Sequence, residues 1–215
     1  MTTRFLIYLT LLFIVFLTGL FNYKNLSSPY RLLTFFILVT FLSELLTRYF
    51  ARVYVNTGPV YHIYLPVQYF FITAFYGYFL PRFRTALIWS CVAFVLIVFT
   101  NIILYQSPLQ FATNVILLSC PVYILCALLS FRNMLSLSDE RPLLQQELFW
   151  YNTSTLFLYI FTFFCWSFYN ILLKSGNTVS ITTLTGVMYF LTLQYYIVTG
   201  VAIYLNARHT KKING

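Results

Sequence analysis

Thr85 to Leu104 reads TALIWSCVAFVLIVFTNIIL, without a charged side chain. At 1.5 Å of rise per residue such a stretch makes a helix about 30 Å long, the thickness of the hydrocarbon layer of a bilayer. Working outward from it in both directions, six further apolar stretches of roughly 17 to 27 residues emerge by the same length argument. They are Phe5 to Phe21, Leu32 to Phe50, Tyr61 to Leu80, Phe111 to Phe131, Leu148 to Leu173 and Ile181 to Leu205. The expected fold is an all-α integral membrane protein, one domain over residues 1–215, with seven transmembrane helices.

Turn chemistry separates the stretches: Ser27, Ser28 and Pro29; Asn56, Gly58 and Pro59; Pro81; Ser107 and Pro108; Ser138 to Pro142; Ser175, Gly176 and Asn177. Backbone can break in this way only where it leaves the bilayer or is buried in protein. The composition agrees, with 60% hydrophobic residues against 8% charged. The loops are too short for a soluble catalytic or nucleic-acid-binding domain.

A net charge of +9 raises the question of nucleic acid, yet the bases are scattered through short loops and form no run. Topology accounts for them better. With seven crossings, one side carries Lys24, Arg31, Arg82, Arg84, Arg132, Arg141, Arg208, Lys211 and Lys212, and the other Arg4, Arg48, Arg52 and Lys174. The bias of nine to four puts the N-terminus outside and the C-terminus inside. Arg4 argues locally for the reverse. The first apolar run is followed by no small-residue cleavage site and is read as a retained helix.

At an offset of 126 residues the third stretch matches the seventh: Gln68, Tyr69, Thr73 and Tyr78 fall on Gln194, Tyr195, Thr199 and Tyr204. The same offset puts Glu44 on Asn170. This suggests a 3+1+3 order, with parallel repeats over 5–80 and 111–205 joined by the helix 85–104. Chance similarity between aromatic-rich helices is the competing explanation.

Polar groups at bilayer depth are costly and tend to mark function. Glu44 is the acid well inside a stretch. Arg48 and Arg52 follow at i+4 and i+8 on the same face, an order that favours an acid-base pair. Tyr61, Tyr64 and Gln68 share a face of the next helix, which enters from the same side, with His62 at its mouth. Asn101, Asn114 and Asn170 also fall toward that side. Glu44, Arg48, His62, Tyr64, Gln68, Asn170 and Gln194 are therefore the candidate ligand-binding residues, expected to line a polar pocket open to the outside. In the plainer alternative, Glu44 and Arg48 neutralise each other and the amides bond neighbouring helices.

Several chemistries lose support. No lysine lies in the middle of the last helix to hold retinal, and only His62 and His209 offer imidazole. Cys91, Cys120, Cys126 and Cys165 lie inside the apolar stretches without a CxxC pair. No metal site and no cofactor are expected. No G-x-S-x-G elbow occurs and Glu44 has no second acid beside it, which argues against an enzyme and leaves a lipid-directed activity through Glu44 or His62 as the enzymatic alternative.

The stretch Glu44 to Tyr49, the triplet His62, Ile63, Tyr64, and the run Phe149, Trp150, Tyr151, Asn152 with Tyr159 resemble a group of bacterial seven-helix membrane proteins without an assigned activity. That resemblance implies the bacterial inner membrane and transfers no substrate or catalytic residue. The 3+1+3 order resembles in architecture the SWEET and opsin-type seven-helix arrangement, which implies small-solute transport as an alternative. The recurring prolines and Pro-Gln signature of the SWEET family are not matched: Pro121 interrupts the fifth stretch, the first has no proline, and Pro66 and Gln68 are not adjacent.

The expected role is a sensor or ligand-binding membrane subunit for a small molecule or lipid. Its output would pass to a separate signalling protein through the inner loop Arg132 to Glu147 and the tail from Asn206. A structural subunit of a larger membrane complex is the remaining alternative. Partners are the lipid bilayer and such a protein, not nucleic acid.

Overall fold

Prolines open two of the helices. Ser27 stands in extended conformation ahead of Pro29, and Thr57 precedes Gly58 and Pro59. Proline suits a first turn because its missing N–H is one that would find no partner there. The computed structural model describes residues 3–136, 141–175 and 178–214, and side chains at 3–136, 141–169, 171–172 and 180–212.

Seven α-helices follow in order among the described residues: α1 Thr3–Phe21, α2 Ser28–Val53, α3 Gly58–Phe79, α4 Arg84–Leu104, α5 Thr113–Ser136, α6 Glu147–Ser175 and α7 Thr178–Asn214. Each of the seven apolar stretches lies on one of them. Six are long and apolar enough to cross a membrane. The third, α3, is not among the six, because Tyr61, His62, Tyr64, Gln68 and Tyr69 dilute its hydropathy. Pro66 and Pro121 sit inside α3 and α5, where neighbouring helices make such interruptions tolerable.

The helices pack as a ring. Each of α1, α2 and α3 touches the next, α3 touches α5, α5 to α7 continue in order, and α7 closes against α1. The α4 helix stands outside the ring, packed mainly on α3. Its buried residues form a single stripe, Phe94, Val98 and Asn101, at helical spacing. Trp89, Leu96, Phe99 and Ile103 face outward. Exposed apolar surface on this scale is a liability in water and is the expected finish of a protein wrapped by lipid.

The interior is correspondingly polar for its size. Tyr30, Tyr76, Tyr123, Tyr151 and Tyr195 are among the largest fully buried side chains, alongside buried Thr40, Thr73, Asn152, Ser154, Thr155 and Thr199. Helices come close where side chains vanish. A Cβ on Gly19 of α1 would overlap Thr34 of α2, and one on Gly58 would sit 2.6 Å from the carbonyl oxygen of Pro108 in the α4 to α5 loop. Small residues at such crossings let backbones approach, which is how helices gain packing energy where lipid removes the hydrophobic drive.

Candidate functional site

The inward faces of three helices change from buried to partly exposed at one level. Along α2, Ile37 is 0% and Thr40 1% exposed, whereas Glu44 and Arg48, one and two turns on, are partly exposed. Along α3 the same change separates buried Tyr76 and Ile72 from Gln68, Tyr64 and Tyr61. Along α1 it separates Leu12 from Tyr8 and Phe5.

At this level Glu44 is ringed by tyrosines. Its Oε1 accepts a long hydrogen bond of 3.5 Å from Tyr8 of α1. Tyr61 and Tyr64 of α3 and Tyr196 of α7 stand within electrostatic reach of the carboxylate. The Tyr8 and Tyr196 rings lie 5.8 Å apart at 54°, and Tyr64 shares a 2.9 Å hydrogen bond with Thr40. Four helices thus supply one carboxylate and four phenols, and among the described residues no cationic group bonds the carboxylate.

Arg48 does not neutralise Glu44. No ion pair joins them; the guanidinium lies over the ring of Phe5, 5.6 Å from its centroid, with its Nε buried and without a partner. The reason is geometric. Phe5 and Tyr8 are one turn apart on α1, as Arg48 and Glu44 are on α2, so each α2 group meets its own α1 ring across the contact. Arg52 is exposed near the helix end.

The other candidate residues divide between two places. His62 is buried, and its Nε2 lies 3.1 Å from the carbonyl oxygen of Gln110. A carbonyl only accepts, so Nε2 carries the proton and Nδ1, which is buried without a partner, is the free acceptor. His62 therefore ties α3 to the α4 to α5 loop, because position 62 points about 100° away from Tyr61 around the helix. Gln68 reaches across the bundle and donates 3.0 Å to the Tyr159 hydroxyl of α6. The Gln194 Oε1 is buried without a partner. The side chain of Asn170 lies outside the described residues.

Asn101 and Asn114 serve a local network. Asn114 donates to Asn101 Oδ1 at 3.1 Å, Asn101 donates to Gln106 at 3.1 Å, and Gln106 donates to Thr113 Oγ1 and the carbonyl of Phe111. A cavity of about 280 Å³ opens beside Asn101 and Asn114. Gln106 is the hub, and as an isolated loop amide it gives no pattern in the sequence. Tyr8 and Tyr196 were equally illegible, since they come from two helices, α1 and α7, that the Glu44 pattern does not touch.

A second polar cluster closes the opposite end. The Asn206 Oδ1 of α7 accepts from both the backbone N–H and the hydroxyl of Ser27, and its Nδ2 donates 3.0 Å to Glu147 of α6. Arg141 pairs with the other Glu147 oxygen at 3.3 Å. Beside it, Arg141, Gln145, Leu205, Arg208, His209 and Lys212 line a basic cavity of about 540 Å³. Asp139 and Glu140, part of the expected docking loop, lie outside the described residues. Among the described residues no cluster of three or more His, Cys, Asp and Glu side chains stands ready for a metal ion.

No family model, curated protein or solved structure matches this chain. The fold and the two clusters therefore carry the functional argument alone: the protein is an all-helical, multi-pass membrane protein.

Proposed function

We propose that the chain is a membrane sensor or ligand-binding subunit whose ligand enters from the outside and settles against Glu44. The observation that carries this reading is a carboxylate held among Tyr8, Tyr61, Tyr64 and Tyr196, at the level where the inward helix faces become partly exposed. An anion at that depth needs compensation. Arg48 is engaged elsewhere, and aromatic faces around a carboxylate are the surroundings that favour a ligand's ammonium or other cationic group. The ligand is thus a small molecule or lipid headgroup bearing a positive charge.

In this reading α3 is the seventh crossing. It has the length of a span, lies between α2, α4 and α5, and turns its polar residues inward. The basic cavity lies at the end rich in Lys and Arg, which belongs to the inside by the charge bias. The protein would sit in a bacterial inner membrane and pass its signal to a partner through Arg141, Arg208 and the tail.

The test is thermal unfolding of the detergent-purified protein during titration with tetramethylammonium chloride, against sodium chloride at equal ionic strength. Saturable stabilisation by the organic cation, lost in Glu44→Gln, is the expected result. Equal response to both salts, or an unchanged response in the variant, would defeat the reading.

One observation favours transport as a second reading. Exchanging α1, α2 and α3 with α5, α6 and α7 maps every neighbour in the ring onto a neighbour, with α4 left outside. Such an arrangement of two three-helix units suits a solute path between halves. Counterflow of a labelled organic cation into vesicles would separate transport from sensing.

A further inference from the structure

Two of the chain's four acids, Glu44 and Glu147, stand at opposite ends of one run of neighbouring tyrosines. From Glu44 this column passes through Tyr8 to Tyr196, and from there to the adjacent Tyr195, whose ring lies 5.1 Å away. The Tyr195 hydroxyl meets that of Tyr151 at 3.2 Å. Tyr151 packs on Tyr76 with centroids 6.0 Å apart. Tyr30 stands within electrostatic reach of both Tyr76 and Glu147. Gln68, bonded to Tyr159, flanks the column, and the Tyr159 and Tyr195 rings are 6.3 Å apart. Tyr196 lies at the Glu44 end and Asn206 holds Glu147, so ten residues of α7, about 15 Å of helix, cover the distance.

The column is incompletely bonded by protein. Four buried side-chain oxygens along it find no hydrogen-bond partner among the described residues: Thr155 Oγ1, Thr199 Oγ1, Tyr76 OH and Tyr30 OH. Buried polar atoms are almost always satisfied, by ordered water where protein does not reach. Tyr76, Thr155, Tyr195 and Thr199 are neighbours, which gives a water the several polar partners it requires.

We propose that this column is a proton path between Glu44 at the outer opening and Glu147 at the inner cluster. A proton from outside water binds the Glu44 carboxylate. Each hydroxyl or water then accepts one proton on its oxygen and releases another to the next, and Glu147 delivers a proton to the inner side. Only O–H bonds form and break, the path runs either way with the driving force, and no oxidant or reductant enters. The groups that face Glu44 are Tyr8 from α1, Tyr61 and Tyr64 from α3 and Tyr196 from α7, with Arg48 on its own helix turned onto Phe5. Those that face Glu147 are Arg141, Asn206 and Tyr30. The path needs no bound cation at Glu44, so ligand titration and proton flux report on separate claims.

The experiment uses the full chain in phosphatidylethanolamine and phosphatidylglycerol vesicles with an internal pH-sensitive dye, and a potassium gradient with valinomycin to set the voltage. The wild type should admit protons faster than protein-free vesicles. Glu44→Gln and Tyr195→Phe should each lower that flux by roughly tenfold or more, the size of effect expected when a positioned proton carrier is removed. Tyr204→Phe, which alters a hydroxyl on the exposed outer surface, should leave it unchanged, and all variants are compared at matched thermal unfolding. Wild-type flux no greater than in protein-free vesicles, at acidic and neutral pH and at either sign of voltage, would overturn the proposal. So would full flux in Tyr195→Phe, which keeps the ring and removes only the relay oxygen.

Discussion

The Glu44 carboxylate takes its hydrogen bond from Tyr8 of the first helix, at 3.5 Å, while Arg48, one turn along its own helix, lies over Phe5. An acid and a base spaced to pair have been separated by the packing of α1 against α2. Energetic coupling between them should then be small.

A double-mutant cycle with Glu44→Gln and Arg48→Met, read by chemical unfolding in mild detergent, should give an interaction energy below about 0.5 kcal/mol, the scatter of independent sites. A coupling of several times that size would mean that the two charges do neutralise each other.

Gly19 and Gly186 make a matched pair. A Cβ on Gly19 overlaps Thr34, whereas one on Gly186 meets nothing within 4 Å. Gly19→Ala should destabilise by about 1 to 3 kcal/mol through overpacking. Gly186→Ala should be neutral or gain up to about 1 kcal/mol from helix propensity. Equal shifts in melting temperature would contradict the close approach of α1 and α2.

Asn206 holds Ser27 and Glu147 together. Asn206→Ala strands the Ser27 N–H and one Glu147 oxygen, and should cost about 2 kcal/mol, the usual penalty for orphaned partners. Asn206→Asp should cost more, because a second carboxylate then faces Glu147. Unfolding midpoints that rank the two variants the other way would refute the bridging role.

The charge bias predicts a sidedness that can be read directly. In a cysteine-free background, Tyr54→Cys in the α2 to α3 connection should react with an impermeant maleimide on intact cells. Lys212→Cys in the tail should react only after permeabilisation. The reverse pattern would invert the topology and place Glu44 toward the cytoplasm.

The helical segments were legible because hydropathy is a local property. All seven apolar stretches fall on α1 to α7 apart from Leu80, Phe111 and Ala112, and Ser27, Asn56, Pro81, Ser107 and Pro108 lie between helices, while Ser138, Gly176 and Asn177 lie outside the described residues. The largest differences come at ends. The α2 helix starts at Ser28 because Pro29 fits its first turn, and α7 continues to Asn214, well past Leu205, because polar residues can extend a helix beyond the apolar layer. The third helix shows the limit of hydropathy: the inward tyrosines, His62 and Gln68 that give it a polar face also lower its apolar score.

The site was legible only on α2 and α3. Glu44 announces itself as an acid at bilayer depth, and Tyr61, Tyr64 and Gln68 share a face by helical period alone. Tyr8 and Tyr196 do not, since nothing in their own segments says which neighbour each helix will meet. His62 was grouped with that face by proximity in sequence, but one residue's rotation aims it at Gln110 in the loop before α5.

The sequence by itself determined that the chain is helical, apolar on its outside and built for a membrane, because these follow from runs of side chains within one segment. The tertiary structure alone decided that α4 stands outside a six-helix ring, that Glu44 meets Tyr8 and not Arg48, and that Asn206 bridges Ser27 and Glu147 across 179 and 59 residues of chain. Such contacts depend on how each helix is rotated about its own axis and which helix it packs against. Those choices are made by the fit of all the helices together and leave no mark in any one of them.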